Sequence, residues 1–241
     1  MNRIKSILVV FLSGIVLCAS AQVQKVQNDP SYDYKWLHFG FTVGFNTMDF
    51  SFRRSFSSTP ADTLFADVSR ITPGFQVMIV SELRINDYWS FRFLPGINFG
   101  QRELTFFYDD PQGGEMVLDR RMTIESNYID FPMIFKYKSK RINNYRPFVI
   151  AGLTPRYDMA ARKDYEEDSE IYVRLKRFDL AYEIGVGLDN YLQYFKFTTE
   201  LKLSVGMRDM LVHKPAEQAP QYVNAIDRLN AYVLMLCFHF E

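Results

Sequence analysis

The sequence predicts an all-β protein: an eight-stranded antiparallel up-and-down transmembrane β-barrel of the outer membrane. Three observations predict it: an N-terminal export leader, apolar residues at every second position, and connections that alternate between short and long. Of the 241 residues 48% are apolar and 16% aromatic, which excludes a disordered chain. Basic and acidic residues balance at 28 each, so the charge does not indicate nucleic-acid binding.

The first 21 residues predict a secretory signal peptide. Two basic residues precede the apolar run ILVVFLSGIVL, and Ala19-Ser20-Ala21 follows it. The run is shorter than the roughly 20 residues that a transmembrane helix needs. Cleavage before Gln22 would leave Cys237 as the single cysteine, which excludes an intramolecular disulfide and a Cys/His zinc cage.

Residues 22–35 are polar and predict a mobile periplasmic lead-in, and residues 36–241 predict the barrel domain. Apolar residues alternate with Gly, polar or charged residues throughout the barrel domain, as in strands with one apolar face. The alternation is strong at 37–46, 89–100, 178–189, 195–208 and 232–240, and weaker at 74–84, 126–138 and 146–158. We therefore expect eight strands of roughly ten to fifteen residues, longer than usual in a soluble sheet.

The connections predict which end of the barrel faces the periplasm. Short turns are expected at Asn86-Asp87, Asn143-Asn144 and Leu192-Gln193, and the other four connections are expected to be loops of roughly 15–20 residues. Outer-membrane barrels keep short turns and both termini in the periplasm. One long loop carries an acidic run at 164–170, interpreted either as a solvated loop or as a site for cations that bridge lipopolysaccharide phosphates.

The crowding of Phe on one strand face predicts that this face contacts lipid. An eight-stranded barrel has a narrow interior that suits Gly and paired charges, whereas a soluble lipocalin-like barrel would need the Phe face inside. Aromatic residues also collect at the short-turn end, where an interfacial girdle is expected. The predicted girdle consists of Trp36, Tyr88, Trp89, Tyr137, Tyr145, Tyr191, Tyr194 and Phe240.

Charged residues on the opposite face predict ion pairs inside the barrel. A short turn at 86–88 places Glu82 opposite Arg92, and symmetric closure of the turn at 190–195 brings Glu183 to Lys202. An unpaired charge in a narrow, partly dry lumen is costly, so we expect these pairs to neutralise each other. The alternative is a proton or ion path.

Three residues predict a chemically distinct periplasmic rim. His38 begins the first strand, while His239 and Cys237 end the last, and these strands become neighbours when the barrel closes. The alternatives are an acid-sensitive or metal-binding rim and two hydrogen-bonded or solvated histidines. Neither histidine adjoins a nucleophile turn with a carboxylate, so no catalytic site and no cofactor are predicted, and a lipid-modifying enzyme fits poorly.

The turn between the fourth and fifth strands is rich in basic residues. Lys138, Lys140 and Arg141 predict either a docking site for a periplasmic or membrane partner or simply a soluble turn.

Three segments resemble a known family: YIDFPMIFKYK (128–138), RPFVIAGLTPRYD (146–158) and DLAYEIGVGLD (179–189) are similar to strands of the Bacteroidota outer-membrane barrel family. The length and the Gln-rich N-terminus look most like its PorT/SprT-like members of the type IX secretion system. The resemblance implies a role in exporting cargo with C-terminal sorting domains, sometimes linked to gliding motility. It also implies contact with other secretion-system proteins, and it offers no catalytic residues.

An eight-stranded barrel filled by its own side chains is too narrow to pass a protein. We therefore expect a non-enzymatic accessory component, in contact with outer-membrane lipid and lipopolysaccharide. The alternative is a structural or adhesion barrel whose long external loops bind ligands.

Overall fold

The computed structural model describes residues 28–54, 64–67, 72–109, 116–161, 173–213 and 226–241. The predicted signal peptide and the acidic run at 164–170 lie outside the described residues. Within these ranges, no helix is long and apolar enough to cross a bilayer. The elements are a 3₁₀-helix (Tyr32–Tyr34), β1 (Leu37–Arg54), β2 (Leu64–Asp67), β3 (Thr72–Arg84), β4 (Trp89–Phe93), β5 (Gly96–Asp109), β6 (Met116–Asp130), β7 (Met133–Lys138), β8 (Tyr145–Asp158), β9 (Phe178–Tyr191), β10 (Lys196–Gly206) and β11 (Ile226–Phe240).

Two prolines interrupt long strands without ending them. β4 and β5 are separated at Leu94-Pro95, and β6 and β7 at Phe131-Pro132. Proline has no N–H to give to a sheet ladder, so each strand breaks locally. The Leu94 N–H still donates to the carbonyl oxygen of Pro132 at 3.1 Å, which bridges both breaks. Apart from the short β2, the described strands thus form the eight long strands that the alternation predicts.

The strand pairings close into a ring in which every pair is antiparallel. β1 pairs with β3, β3 with β4–β5, β4–β5 with β7–β6, and β7–β6 with β8. β8 then pairs with β9, β9 with β10, β10 with β11, and β11 with β1. Following the pairs returns to the starting strand, so the predicted up-and-down barrel fold is confirmed. We call the end with the turns at 85–88, 139–144 and 192–195 the short-turn end, and the other the long-loop end.

The strands reach further toward the long-loop end than predicted. β5 ends at Asp109 and β6 begins at Met116, so six residues separate the third and fourth long strands. The prediction of a loop of roughly 15–20 residues there is wrong. It failed because the alternation continues through these segments with its polarity reversed.

The reversal is clear along β1. Phe41 and Phe45 are exposed on the outer face, while Thr42 between them is buried. Further along the strand Met48 and Phe50 are the buried residues, 1% and 2% exposed, and polar residues alternate with them on the outer face.

The neighbouring strand β11 reverses at the same level. Leu236 and Leu234 are exposed, whereas the outer face beyond them carries Tyr232 and Asn230. The register places Leu234 opposite Thr47 of β1. On β1 and β11 the outer face is therefore apolar from the short-turn end up to this level and polar beyond it.

Beyond the reversal, the interior is filled by an apolar cluster, which we call the long-loop core. Side chains from the strands meet side chains from the segments after β8, before β9 and after β10. Its members are Phe50, Leu104, Phe106, Met122, Ile124, Ala161, Val173, Leu175, Met210, Leu211, Ile226, Leu229 and Ala231.

Candidate functional site

The interior near the short-turn end is lined by charged side chains, which point inward because they alternate with outward apolar residues. We call this group the short-turn network. It consists of Glu82, Arg92, Lys136, Lys138, Asp189, Lys196, Glu200 and Glu241.

Arg92 is the centre of the short-turn network. Its Nε lies 2.7 Å from Oε2 of Glu82, its Nη1 3.2 Å from Oε2 of Glu200, and its Nη2 3.0 Å from Oε1 of Glu241. Glu82 and Arg92 are directly opposite in the β3–β4 register, as the sequence predicts. The five N–H donors of a planar guanidinium allow Arg92 to meet three carboxylates at once.

Three lysines complete the short-turn network. Lys136 Nζ donates to both carboxylate oxygens of Asp189, at 2.8 and 2.7 Å. Lys196 Nζ donates to Glu241 at 2.8 Å, and Lys138 Nζ lies 3.4 Å from Glu82. The prediction that Lys138 belongs to an exposed docking turn is wrong, because it is two residues after Lys136 and shares its inward face.

A second charged group, the mid-lumen network, lies between the short-turn network and the long-loop core. Lys202 Nζ is 2.9 Å from Oε2 of Glu183, so the predicted pair forms. The contact is diagonal, because Ser204 is the residue directly opposite Glu183. The other members are Arg102, Asp130, Arg156 and Asp158.

Arg102, Arg156 and Asp158 are the residues of the mid-lumen network that sequence reasoning missed. Arg156 Nε lies 3.4 Å from Asp130, its Nη2 donates to Ser204 at 2.7 Å, and an Arg102 nitrogen lies 3.7 Å from Asp158. The available signal was parity: each arginine occupies an inward position of its strand.

An aromatic side chain, Phe148, is packed among the charged side chains of the lumen. The Phe148 ring lies against Gly187, where an added Cβ would come within 2.2 Å of Phe148 Cζ. Glycine is therefore required at this close approach. Lys136 Nζ sits 3.8 Å from the centre of the same ring, a cation–π contact.

The burial of the charged heads indicates a filled lumen. Lys136 is 0% exposed and Arg92 and Lys202 are each 1% exposed. A water-filled channel along the axis would leave such groups accessible to solvent. The described part of the barrel is therefore packed at the short-turn network, at the mid-lumen network and in the long-loop core.

The two histidines do not form a shared rim. His38 stacks on Tyr32 with 4.0 Å between ring centres, and its Nε2 is 3.0 Å from the Tyr32 carbonyl oxygen. His239 Nδ1 lies 2.6 Å from Oγ1 of Thr42, and its Nε2 3.4 Å from Glu200. The expectation that the imidazoles lie together is wrong, because the register pairs His239 with Thr42, two inward positions beyond His38.

Cys237 has its own partner. Its Sγ accepts a hydrogen bond from Gln76 Nε2 at 2.8 Å, and the residue is 1% exposed. Among the described residues, no group of three or more His, Cys, Asp or Glu side chains could hold a metal ion. The described structure thus places His38, His239 and Cys237 in three separate sets of contacts.

Residues 28–35, which we call the N-terminal strap, extend over the barrel opening at the short-turn end. Tyr32 is 9% exposed, packs edge-on against Tyr191 and donates to Oε2 of Glu241 at 3.1 Å. Burial raises the pKa of Tyr32, so its phenol stays protonated. Burial opposes ionisation of Glu241, but Lys196 and Arg92 hold its pKa below the ordinary value. The prediction of a mobile lead-in is wrong for the strap.

Asp33 fastens the strap to the barrel wall. Arg146 Nη1 lies 2.9 Å from Oδ1, Arg141 Nη1 lies 3.4 Å from Oδ2, and the Tyr191 hydroxyl donates to Oδ1 at 3.1 Å. The Arg141 guanidinium also lies 3.8 Å from the centre of the Tyr191 ring and donates to the carbonyl oxygen of Asn28. No sequence signal predicts this contact, since Asp33 and Arg146 are 113 residues apart.

The strap changes the interpretation of the predicted docking turn and girdle. Arg141 is occupied by the strap, so Lys140 is the only exposed residue of the predicted docking turn. Tyr191 is 3% exposed and is not a girdle residue, because it shares the inward parity of Asp189. The other predicted girdle residues are at least partly exposed on the outside: Trp36, Tyr88, Trp89, Tyr137, Tyr145, Tyr194 and Phe240.

A comparison with protein families identifies the chain. The profile described as "Outer membrane protein beta-barrel domain" matches residues 21–212. The chain belongs to this family. It is therefore a β-barrel protein of the bacterial outer membrane, and the apolar band on its outer face contacts lipid.

Solved structures of other outer-membrane barrels are similar at low identity. The outer membrane protein OprG of Pseudomonas aeruginosa matches with 10% identity and a TM-score of 0.47, over 91% of this chain and 98% of OprG. Neisserial surface protein A matches with 11% identity and a TM-score of 0.43, over 86% and 99%. The N-terminal barrel domain of P. aeruginosa OprF matches with 13% identity and a TM-score of 0.31, over 83% and 97%. The search of curated proteins found no significant match.

Proposed function

We propose that this protein is a non-enzymatic accessory component of a protein secretion machine in the outer membrane, specifically of the type IX system that exports cargo with C-terminal sorting domains. The observation that carries the proposal is the filled lumen. Arg92, Lys136 and Lys202 are buried and paired, and the strap covers the short-turn end. Such a barrel acts through its surfaces and loops, beside a larger translocon.

The choice of secretion system rests on the resemblance of the strand sequences. YIDFPMIFKYK spans the end of β6, the Pro132 break and β7, and so forms one continuous wall element. In the proposed orientation the short-turn end and both termini face the periplasm, as is usual for outer-membrane barrels. The strap and Lys140 then face periplasmic partners, and the long loops face the outside.

Export measurements test the proposal. Deletion of the gene should abolish the appearance of many sorting-domain proteins in the medium, and the wild-type gene should restore it. Normal export in the deletion strain would contradict the secretion role. A second measurement tests the filled lumen. In planar bilayers the purified protein should give no conductance steps under conditions in which an open porin gives them. Steady conductance steps would show an open channel and would contradict the proposed accessory role.

A second candidate is a surface adhesion or structural barrel that binds ligands with its external loops. The observation that favours it is that the wall continues beyond the lipid band, where Phe50, Leu104 and Phe106 pack inside while the outer face of β1 and β11 is polar. This candidate predicts normal export after deletion and loss of attachment to a surface or host ligand.

A further inference from the structure

We propose that the short-turn end carries a carboxylate-binding site, occupied in the described state by the strap's Asp33, and that an acidic segment of a periplasmic partner protein can take the place of the strap. The inference rests on the proposed orientation, with the short-turn end in the periplasm, but not on the type of secretion system. It rests on three properties of the site. The barrel wall holds its donor groups in place, the strap binds to them as a peptide would, and release of the strap would leave positive charge without a partner.

The wall holds the donors in place without help from the strap. Arg146 Nε donates to the carbonyl oxygen of Ser139 at 2.7 Å, and its Nη2 donates to the carbonyl oxygen of Asp87. Arg141 Nε donates to the carbonyl oxygen of Asn143 at 2.9 Å. Both guanidinium groups are therefore oriented by turn backbone. A preoriented pair of guanidinium groups is well suited to bind a carboxylate.

The strap contacts this site in the manner of a bound peptide. The Asn28 backbone N–H donates to Asn144 Oδ1 at 2.8 Å, and Asn28 Nδ2 donates to the Tyr191 carbonyl oxygen at 3.0 Å. The carbonyl oxygens of Asn28 and Asp29 face Arg141. Most of these contacts are made by the backbone of the strap, while the Asp33 side chain supplies the negative charge that binds the two guanidinium groups.

Among the described residues, the strap is connected covalently to the barrel only where the chain runs on into β1. Around the ring, β8 is four strands from β1 in either direction, so the strap reaches the opposite side of the opening. Within the strap, the regular structure is the single 3₁₀ turn Tyr32–Tyr34. Its position therefore depends on the contacts of Tyr32, Asp33 and Asn28 with the wall, which another chain can compete for.

Release of the strap would uncover unbalanced positive charge. Arg141 and Arg146, each less than a tenth exposed, would lose the carboxylate of Asp33. Lys138 lies in the same part of the lumen. Its carboxylate partner, Glu82, also lies near Lys136 and Lys196, so it does not balance the charge of Lys138 alone. An uncovered site of this kind attracts acidic segments over neutral or basic ones.

A peptide-binding experiment on the full-length protein in zwitterionic detergent tests the inference. The probe is a fluorescent peptide with the sequence of residues 28–35, NDPSYDYK, and the matched control peptide carries Asn in place of Asp33. In the Asp33→Asn protein, whose own strap lacks the carboxylate, the probe should bind about ten-fold more tightly than in the wild type, which corresponds to about 1.4 kcal/mol. The control peptide should bind the Asp33→Asn protein about ten-fold more weakly than the probe does, and the Asp33→Asn/Arg146→Gln protein should lose this preference.

A second measurement covers the case in which Asp33→Asn does not fold, judged by heat-dependent migration on gels. A spin label at Tyr34→Cys, a strap position whose side chain is 81% exposed, should become mobile in the otherwise wild-type protein when the probe peptide is added in excess, and should stay immobile with the control peptide. Three outcomes would each overturn the inference. The probe could bind wild type and Asp33→Asn with equal affinity, its binding could be unchanged by Arg146→Gln, or the label could fail to respond to the probe.

Discussion

The two halves of the barrel interior are built on opposite principles, although the same strands form both. Near the short-turn end, β1 places Phe41 outside and Thr42 inside, and the lumen holds buried ion pairs. Near the long-loop end, the same strand places Phe50 inside, and the lumen is an apolar core. The strand continues without a break through the reversal, and β11 reverses beside it.

The environment outside the barrel explains the difference. Where lipid surrounds the wall, the outer face must be apolar, and the narrow interior is left to polar groups that pair with one another. Where water surrounds the wall, burial of apolar side chains in the interior is the favourable arrangement, as in a soluble protein. The level of Thr47 and Leu234 therefore marks the edge of the lipid band.

The largest expected effect is in the short-turn network. Arg92→Met should destabilise the barrel by about 3–5 kcal/mol, because Glu82, Glu200 and Glu241 would remain buried without their shared cation. Denaturant unfolding in detergent measures the loss. The matched control is Arg121→Met, since Arg121 is half-exposed and pairs with Glu103 at 2.9 Å. Because half of the Arg121 side chain lies in solvent, although its partner Glu103 is mostly buried, we expect a loss of about 1 kcal/mol, and a loss equal to that of Arg92→Met would contradict the buried-network interpretation.

The corresponding change in the other half is Leu104→Ala. It should cost about 2–5 kcal/mol, because it leaves a cavity in the long-loop core. The segments that contribute Leu175 and Met210 to this core should become more sensitive to protease, while the strap should not. The control is Leu201→Ala, which truncates a residue exposed on the lipid-facing band. A similar loss for Leu201→Ala would contradict the division of the barrel into two halves.

The alternation made much of the fold predictable, because strand parity decides which side chains meet. Glu82 and Arg92 could be paired from sequence since a tight turn sets their register. The same rule applied consistently would have placed Lys138 and Tyr191 inside. The extension of β5 and β6 was missed because the prediction assumed one apolar face along the whole strand. The contact of Asp33 with Arg146 has no local pattern, so only the folded barrel reveals it.

A smaller effect is expected for the mid-lumen pair. Glu183→Ala should lower resistance to unfolding, and combining it with Lys202→Ala should cost less than the two single changes added together. The expected coupling is about 1–3 kcal/mol. It is smaller than the Arg92 effect because Lys202 pairs with one carboxylate, that of Glu183, whereas Arg92 is shared by three. Strict additivity of the two changes in the denaturant midpoint would show that the pair is not coupled.

The smallest effect concerns the outer edge of the long-loop half, where the pKa of Asp209 responds to its contacts. Burial opposes ionisation, but the backbone N–H groups of Leu229 and Leu211 donate to the carboxylate at 3.0 and 3.1 Å and lower its pKa. Because the folded pKa lies below the unfolded one, the stabilisation is present above the ordinary carboxyl pKa of about 4 and is lost as the pH falls through the folded pKa.

Hydrogen exchange at the Leu229 amide should therefore lose protection in acid in the wild type, by an amount below about 1 kcal/mol, and Asp209→Asn should remove most of this response. Asp227→Asn is the matched control, since Asp227 is an exposed carboxylate at the start of β11. An acid response that persists in Asp209→Asn but disappears in Asp227→Asn would show that Asp227, and not Asp209, anchors this segment. The apolar long-loop core would then be held at its edge by a contact different from the one described.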